Sequence, residues 1–276
     1  MVLIMKKGIS IWAFTESSLE KCFQMAREEG YEGVEVALAE DGELRLDSTD
    51  EEVLRIGEQA AAAGIALYSV ASGLYWKYSL TANDPVERQK AADICRRQLE
   101  VARMLGCDTI LVVPGLVDET VPYDAAYERA FAAIKELACY AEEMGVTIGI
   151  ENVWNRFLLS PLEMRDFIDK VDSPRVGAYF DVGNVMHDGY PEQWIHILGS
   201  RIAKVHLKDY KTAVGTLDGF VDLLNGDVNY SAVLKALRET SYDGWLTAEV
   251  FLYRYSPEML LHSSSAVMDR LMEGYR

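Results

Sequence analysis

The sequence predicts a (β/α)8 barrel, and three observations carry that expectation. Short β-type runs alternate with longer helical patterns eight times. A glycine closes one helical pattern after another, one or two residues before the next run, at Gly30, Gly64, Gly106, Gly145 and Gly244. Four successive runs then end in a side chain able to bind a cation. Eight β/α units in about 250 residues is the size and rhythm of such a barrel. An open doubly wound sheet usually has fewer strands, and no GxGxxG follows the first run. No Pro-, Gly- or Ser-rich linker interrupts the 276 residues, so 1–276 reads as a single TIM-barrel domain.

The β-type runs are 8–12, 33–36, 65–70, 109–113, 147–150, 176–180, 202–205 and 245–248. Several are continuously apolar, as parallel strands covered on both faces should be. The first helical pattern, 17–29, opens on Ser17 as a cap, with Glu20 three residues on. Patterns 51–63, 86–105 and 123–144 each stop at a glycine suited to a left-handed end. Ser160-Pro161 supplies a cap and a first-turn proline for the next helix. Later helices are expected at 191–198, 230–240 and 257–272.

Composition excludes several classes. With 44 acidic and 27 basic residues the formal net charge is -17. Such a field repels a phosphate backbone, and no basic patch overrides it, so no nucleic-acid partner is expected. No segment is long and apolar enough to span a membrane, and the N-terminus lacks the pattern of a signal peptide. Cys22, Cys95, Cys107 and Cys139 show no CxxC spacing. They read as reduced thiols, mostly packing residues, in a cytoplasmic protein.

In a barrel of this kind the chemistry sits at the carboxyl ends of the strands. Run five is followed by Glu151, run six by Asp181, run seven by His206 and run eight by Glu249. Three carboxylates gathered in a dry barrel mouth repel one another, and each is costly to bury unpaired. A divalent cation resolves the conflict, and His206 adds a nitrogen ligand. The donor set suits Mn²⁺ first, with Mg²⁺, Co²⁺ or Zn²⁺ as alternatives.

The segments Ile150-Glu151-Asn152, Phe180-Asp181-Val182-Gly183-Asn184, Val205-His206-Leu207-Lys208-Asp209 and Ala248-Glu249-Val250 resemble those of the sugar phosphate isomerase/epimerase superfamily, whose fold is the xylose isomerase-like TIM barrel. The resemblance spans nearly the whole chain and is strongest from run five onward. It is nearest to the L-ribulose/L-xylulose 5-phosphate 3-epimerase branch. It implies a metal held by Glu151, Asp181, His206 and Glu249, with the two glutamates as acid/base pair, and it also suggests a homo-oligomer. Two positions depart from the tagatose/psicose 3-epimerase branch: Asn184 stands where that branch has histidine, and Leu158 near where it has a substrate-binding glutamate.

The chemistry is coherent on its own terms. Epimerising or isomerising a ketose or ketose phosphate requires removal of a proton beside a carbonyl, and a metal on the adjacent oxygens stabilises the enediolate. Glu151 and Glu249 end runs separated by two others, so they can face opposite sides of a bound sugar. The alternative outcome is elimination by a lyase or dehydratase acting on a keto sugar, an inosose or an oxidised glycoside. Substrate contacts are expected from Trp12, Asn184 and Lys208, with Phe14, Trp154, Asn155 and Arg156 as further wall residues. Lys208 is expected either to enter the mouth or to pair with Asp209. His187 is expected either to contact substrate or, in preference, to be exposed, and His196 and His262, on helices, to be structural or at the surface. The aromatic segment 75–81 is expected to cap the mouth.

Overall fold

A computed structural model describes residues 5–16 and 18–273. Eight parallel strands close a barrel: Lys6–Ser10, Gly33–Ala37, Ala66–Ala71, Thr109–Val112, Thr147–Glu151, Val176–Asp181, Ile202–Leu207 and Trp245–Ala248. They are called strands one to eight below. Each pairs with its sequence neighbours, and strand eight returns to strand one, with Lys6 beside Trp245 and Ile9 beside Ala248. Helices Leu19–Glu28, Asp50–Ala63, Pro85–Leu105, Tyr123–Met144, Pro161–Val171, Pro191–Leu198, Tyr230–Glu239 and Met259–Glu273 cover the outside. No helix among the described residues is long and apolar enough to cross a membrane.

Local chemistry explains most boundaries. Thr49 and Glu52 form a reciprocal capping box at the start of the second helix. Ser160 accepts from the Glu163 amide, and Pro161 occupies the first turn. The Ser17 cap falls outside the described residues. Gly64, Gly106 and Gly145 each end a helix in the left-handed conformation. The expected glycine stop at Gly244 does not work that way. The left-handed residue after the seventh helix is Ser241, at φ 60°. Gly244 serves close approach instead, since a Cβ there would lie 2.5 Å from the Tyr242 hydroxyl.

Seven of the eight strands differ from the expected bounds, each by one or two residues at one or both ends. Strand one is Lys6–Ser10 rather than 8–12, because the chain turns at Ile11–Ala13 in a 3-10 helix. Strand six runs on through Asp181, and strand seven through Leu207. Asp181 and His206 therefore lie within hydrogen-bonded strands and face each other in register. Strand alternation sends residues two apart to the same face. Along strand seven and just past its end, this puts Lys204, His206 and Lys208 on one face, with Lys204 at the end away from the mouth. Lys204 is satisfied below by Asp108 at 2.5 Å and by the Thr109 hydroxyl at 3.0 Å.

Candidate metal centre and barrel mouth

Strands five to eight are neighbours in the barrel, so their ends converge on one point. Glu151 closes strand five, Asp181 closes strand six and His206 lies one residue inside the end of strand seven. Glu249 follows strand eight, its amide donating to the Leu207 carbonyl at 3.1 Å. One potential ligand atom from each of the four lies within 4.8 Å of the other three, a spacing that can hold one ion.

The local sequence explains the placement. Asn152 clasps strand six, its side chain accepting from the Asp181 amide and donating to the Asp181 carbonyl, both at 2.8 Å. The Asn184 amide donates to Asp181 Oδ1 at 2.8 Å. That leaves Oδ2 for the mouth. The turn after Asp181 needs Gly183, where a Cβ would sit 2.4 Å from that of Lys208. The two strand ends could not otherwise approach so closely.

The donor atoms fit a cation. Asp181 Oδ2, His206 Nδ1 and Glu249 Oε2 are buried without a hydrogen-bond partner. Lys208 Nζ lies 3.0 Å from both Asp181 Oδ2 and Glu249 Oε2, and His206 Nδ1 lies 2.5 Å from Glu249 Oε2. These contacts gather a lysine charge, an imidazole nitrogen and two carboxylate oxygens at one point. Buried atoms of this kind are costly unless something satisfies them, and a divalent ion does so.

Burial and neighbouring charge push the two glutamates apart. Glu151 is raised to about 8 by burial, which outweighs the downward pull of Lys208 and His206; that pull is itself opposed by repulsion from Glu249 and Asp181. Burial also acts upward on Glu249, but Lys208 and His206 outweigh it and bring it down to about 2. Burial raises Asp181 as well. For His206, burial acts downward, but the carboxylates of Glu35 and Glu249 hold it well above its usual range.

Glu151 therefore makes the metal-free protein sensitive to alkali. Its raised pKa contributes stability that is complete below about 4.5, the ordinary glutamate value, and fades as pH rises through about 8. Over that window the native state holds a proton that the unfolded chain has lost. Glu151→Gln removes the ionisation. In urea titrations of ion-free protein, the variant is expected to gain stability relative to wild type between pH 5 and pH 8. Parallel stability curves would show that burial of Glu151 carries no such penalty.

The structure sorts the remaining expectations. A cavity of about 410 Å³ opens directly above the four residues. Its lining includes Trp12, Trp76, Trp154, Leu217, Phe220 and Phe251, with Glu151, Glu249, Asn184 and Lys208 as polar groups. Trp12, Asn184 and Lys208 thus all reach the mouth. Lys208 is paired there with Asp181 and Glu249, not with Asp209, which instead accepts from the Gly226 and Val228 amides. Phe14 belongs to the core. Asn155 turns inward to the Gly115 carbonyl, a structural role.

Arg156 lines an adjoining cavity of about 380 Å³ that shares Trp154 and Asn184 with the first. His187 lines it too, half-exposed, with its ring 4.9 Å from that of Trp154 and its Nδ1 2.8 Å from Asp188. Leu158 is buried against that second cavity. His196 and His262 pair with Glu239 and Glu29 on the surface. Of segment 75–81, Trp76 reaches the mouth, whereas Tyr75 is buried against Gln98. A larger cavity, about 490 Å³, lies at the opposite end among Lys6, Asp108 and Lys204, away from all four ligand candidates.

Sequence reasoning missed Glu35. It is fully buried in strand two, with Oε1 3.0 Å from His206 Nε2 and Oε2 accepting from the Tyr179 hydroxyl. The available signal was a lone acid inside the apolar run Gly33–Ala37.

Comparison with known proteins agrees with this architecture. An Escherichia coli protein named, provisionally, L-ribulose-5-phosphate 3-epimerase SgbU is 26% identical over 231 residues, covering 76% of this chain and 78% of that protein. Inosose dehydratase of Lacticaseibacillus casei is 24% identical over 201 residues, covering 63% and 67% respectively. The solved D-psicose 3-epimerase of Clostridium cellulolyticum H10 superposes with a TM-score of 0.82 at 20% identity, over 98% of this chain and 99% of that one. The family model described as xylose isomerase-like TIM barrel matches residues 23–271, and the chain belongs to that family.

Proposed function

We propose that the protein is a divalent-metal-dependent epimerase or isomerase of a ketose or ketose phosphate. The observation that carries this reading is the placement of Glu151 and Glu249 on either side of Asp181 and His206, at the floor of a cavity of about 410 Å³. That volume suits a single sugar.

Asp181 and His206, with the two glutamates, would hold the ion. When bound, it supplies Lewis-acid stabilisation of the negative charge that develops on the substrate oxygens. The protein does the rest. Trp12, Trp154 and Phe220 offer apolar faces for the sugar's C–H face and exclude water. Asn184 and Lys208 bring donors to the floor. One glutamate removes the proton beside the carbonyl, and the other returns a proton to the opposite face. The homologue names favour the same chemistry, L-ribulose 5-phosphate epimerisation in one case. We also read the chain as a cytoplasmic homo-oligomer.

A second reading, elimination, is favoured by the similarity to inosose dehydratase. It shares the first proton removal and differs in what leaves afterwards. A panel of ketoses, ketose phosphates and inososes incubated with Mn²⁺-loaded protein in D₂O separates the two. Deuterium beside the carbonyl together with an epimeric or isomeric product is the expected result. A dehydrated product would establish elimination, and absence of exchange across the panel would overturn both.

A further inference from the structure

We propose that Glu35 is a positioning residue for the metal centre: it holds His206 as the Nε2–H tautomer, so that Nδ1 is the atom presented to the ion. This rests on reading the four mouth residues as a metal centre, but not on which sugar reacts.

The geometry is closed on every side. Glu35 and His206 are both fully buried, on strands two and seven, across the barrel from each other. Glu35 Oε1 lies 3.0 Å from His206 Nε2. The other oxygen, Oε2, accepts from Tyr179, whose hydroxyl is also 3.1 Å from Ser69 Oγ. The Tyr179 ring packs on the imidazole at 4.7 Å between centroids, limiting its rotation. Nδ1 faces the opposite way, 2.5 Å from Glu249 Oε2 and 3.8 Å from Asp181 Oδ2, with no hydrogen-bond partner of its own.

An ionised carboxylate has acceptors only. With Tyr179 donating to one oxygen, the other requires a proton on Nε2. In the neutral ring that leaves the lone pair on Nδ1, aimed among the carboxylates. The same hydrogen bond makes the imidazole a stronger donor to a cation. An amide would not enforce this choice. It can turn its NH₂ toward Nε2 and let Tyr179 donate to its oxygen, which places the ring proton on Nδ1 and blocks the site.

Glu35→Gln is therefore the discriminating variant, because it keeps the shape and removes the compulsion. Metal affinity should fall about ten- to hundredfold, the usual effect of losing such a partner. Equilibrium dialysis with Mn²⁺ measures it, alongside the melting temperature of the ion-free protein, which reports separately any structural cost of losing the buried carboxylate. Equal affinity in the two proteins, or a fall in melting temperature with affinity intact, would leave Glu35 a packing residue and overturn the proposal. A wild type that takes up no ion overturns the metal reading, and this one with it. A second measurement needs no variant of Glu35. In ¹⁵N-histidine-labelled wild type loaded with diamagnetic Zn²⁺, His206 should carry its proton on Nε2, its resonances being identified by their loss in His206→Gln. A proton on Nδ1 overturns the proposal.

Discussion

Removing divalent ions by chelation is expected to abolish turnover, and adding Mn²⁺ or Co²⁺ to restore it, with ion content and activity rising together. The reason lies in the charges at the mouth. Asp181 Oδ2, His206 Nδ1 and Glu249 Oε2 converge with no hydrogen-bond partner, and Lys208 is drawn to two of them at 3.0 Å. A single ammonium offsets part of the carboxylate charge but offers substrate oxygens one shared charge rather than a vacant coordination position. Stabilising charge that develops in a transition state is commonly the largest catalytic contribution, so its loss should not leave a partly active enzyme. The barrel itself is expected to survive chelation, since its core is a continuous apolar cluster built from strands and helices around the whole ring. Far-UV circular dichroism should therefore be unchanged while activity disappears. Turnover persisting in demonstrably ion-free protein would overturn the metal-dependent reading.

How much of this was legible depends on which force set each residue. Strand eight and the helices Tyr123–Met144 and Pro191–Leu198 have the bounds that the sequence predicts, because apolar periodicity ended at a glycine, a proline or a polar turn. The four ligand candidates were visible because a charge directly after an apolar run stands out. Strand one was placed two residues late, since apolar Ile11 and Trp12 look like strand but turn in a 3-10 helix. Arg156 and Leu158, at φ 58° and 51°, hold a tight turn whose left-handed residues are not glycines, so no local signal marked it. Glu35 and Tyr179 were not assigned because their meaning is tertiary. Neither has a sequence neighbour that explains it, and their contact joins strands 144 positions apart. Lys208 illustrates the same limit. The chain could say that it followed His206 at strand spacing, but only closure of the barrel brings it against Asp181 and Glu249 rather than Asp209.

Glu151→Gln and Glu249→Gln are each expected to lose turnover by at least about a hundredfold, the usual contribution of a positioned acid or base. Both residues are also ligand candidates, so metal content has to be measured beside activity, and only ion-replete samples are informative. The amide preserves shape and can still offer an oxygen, but it cannot take up a proton. If the two glutamates serve opposite faces of the sugar, each variant keeps one competent base. That base can remove a proton from its own face and return one there, so each variant should exchange a different substrate hydrogen with D₂O while forming no epimer. The two single variants would then be complementary in the epimer whose hydrogen they exchange. A single-base mechanism predicts something else: one variant would be silent in exchange with either epimer, and the other nearly normal. Epimerisation retained by either ion-replete variant would rule out the two-base mechanism. If proton removal instead leads to elimination, one glutamate suffices for exchange, and the product should absorb in the ultraviolet as a conjugated enone.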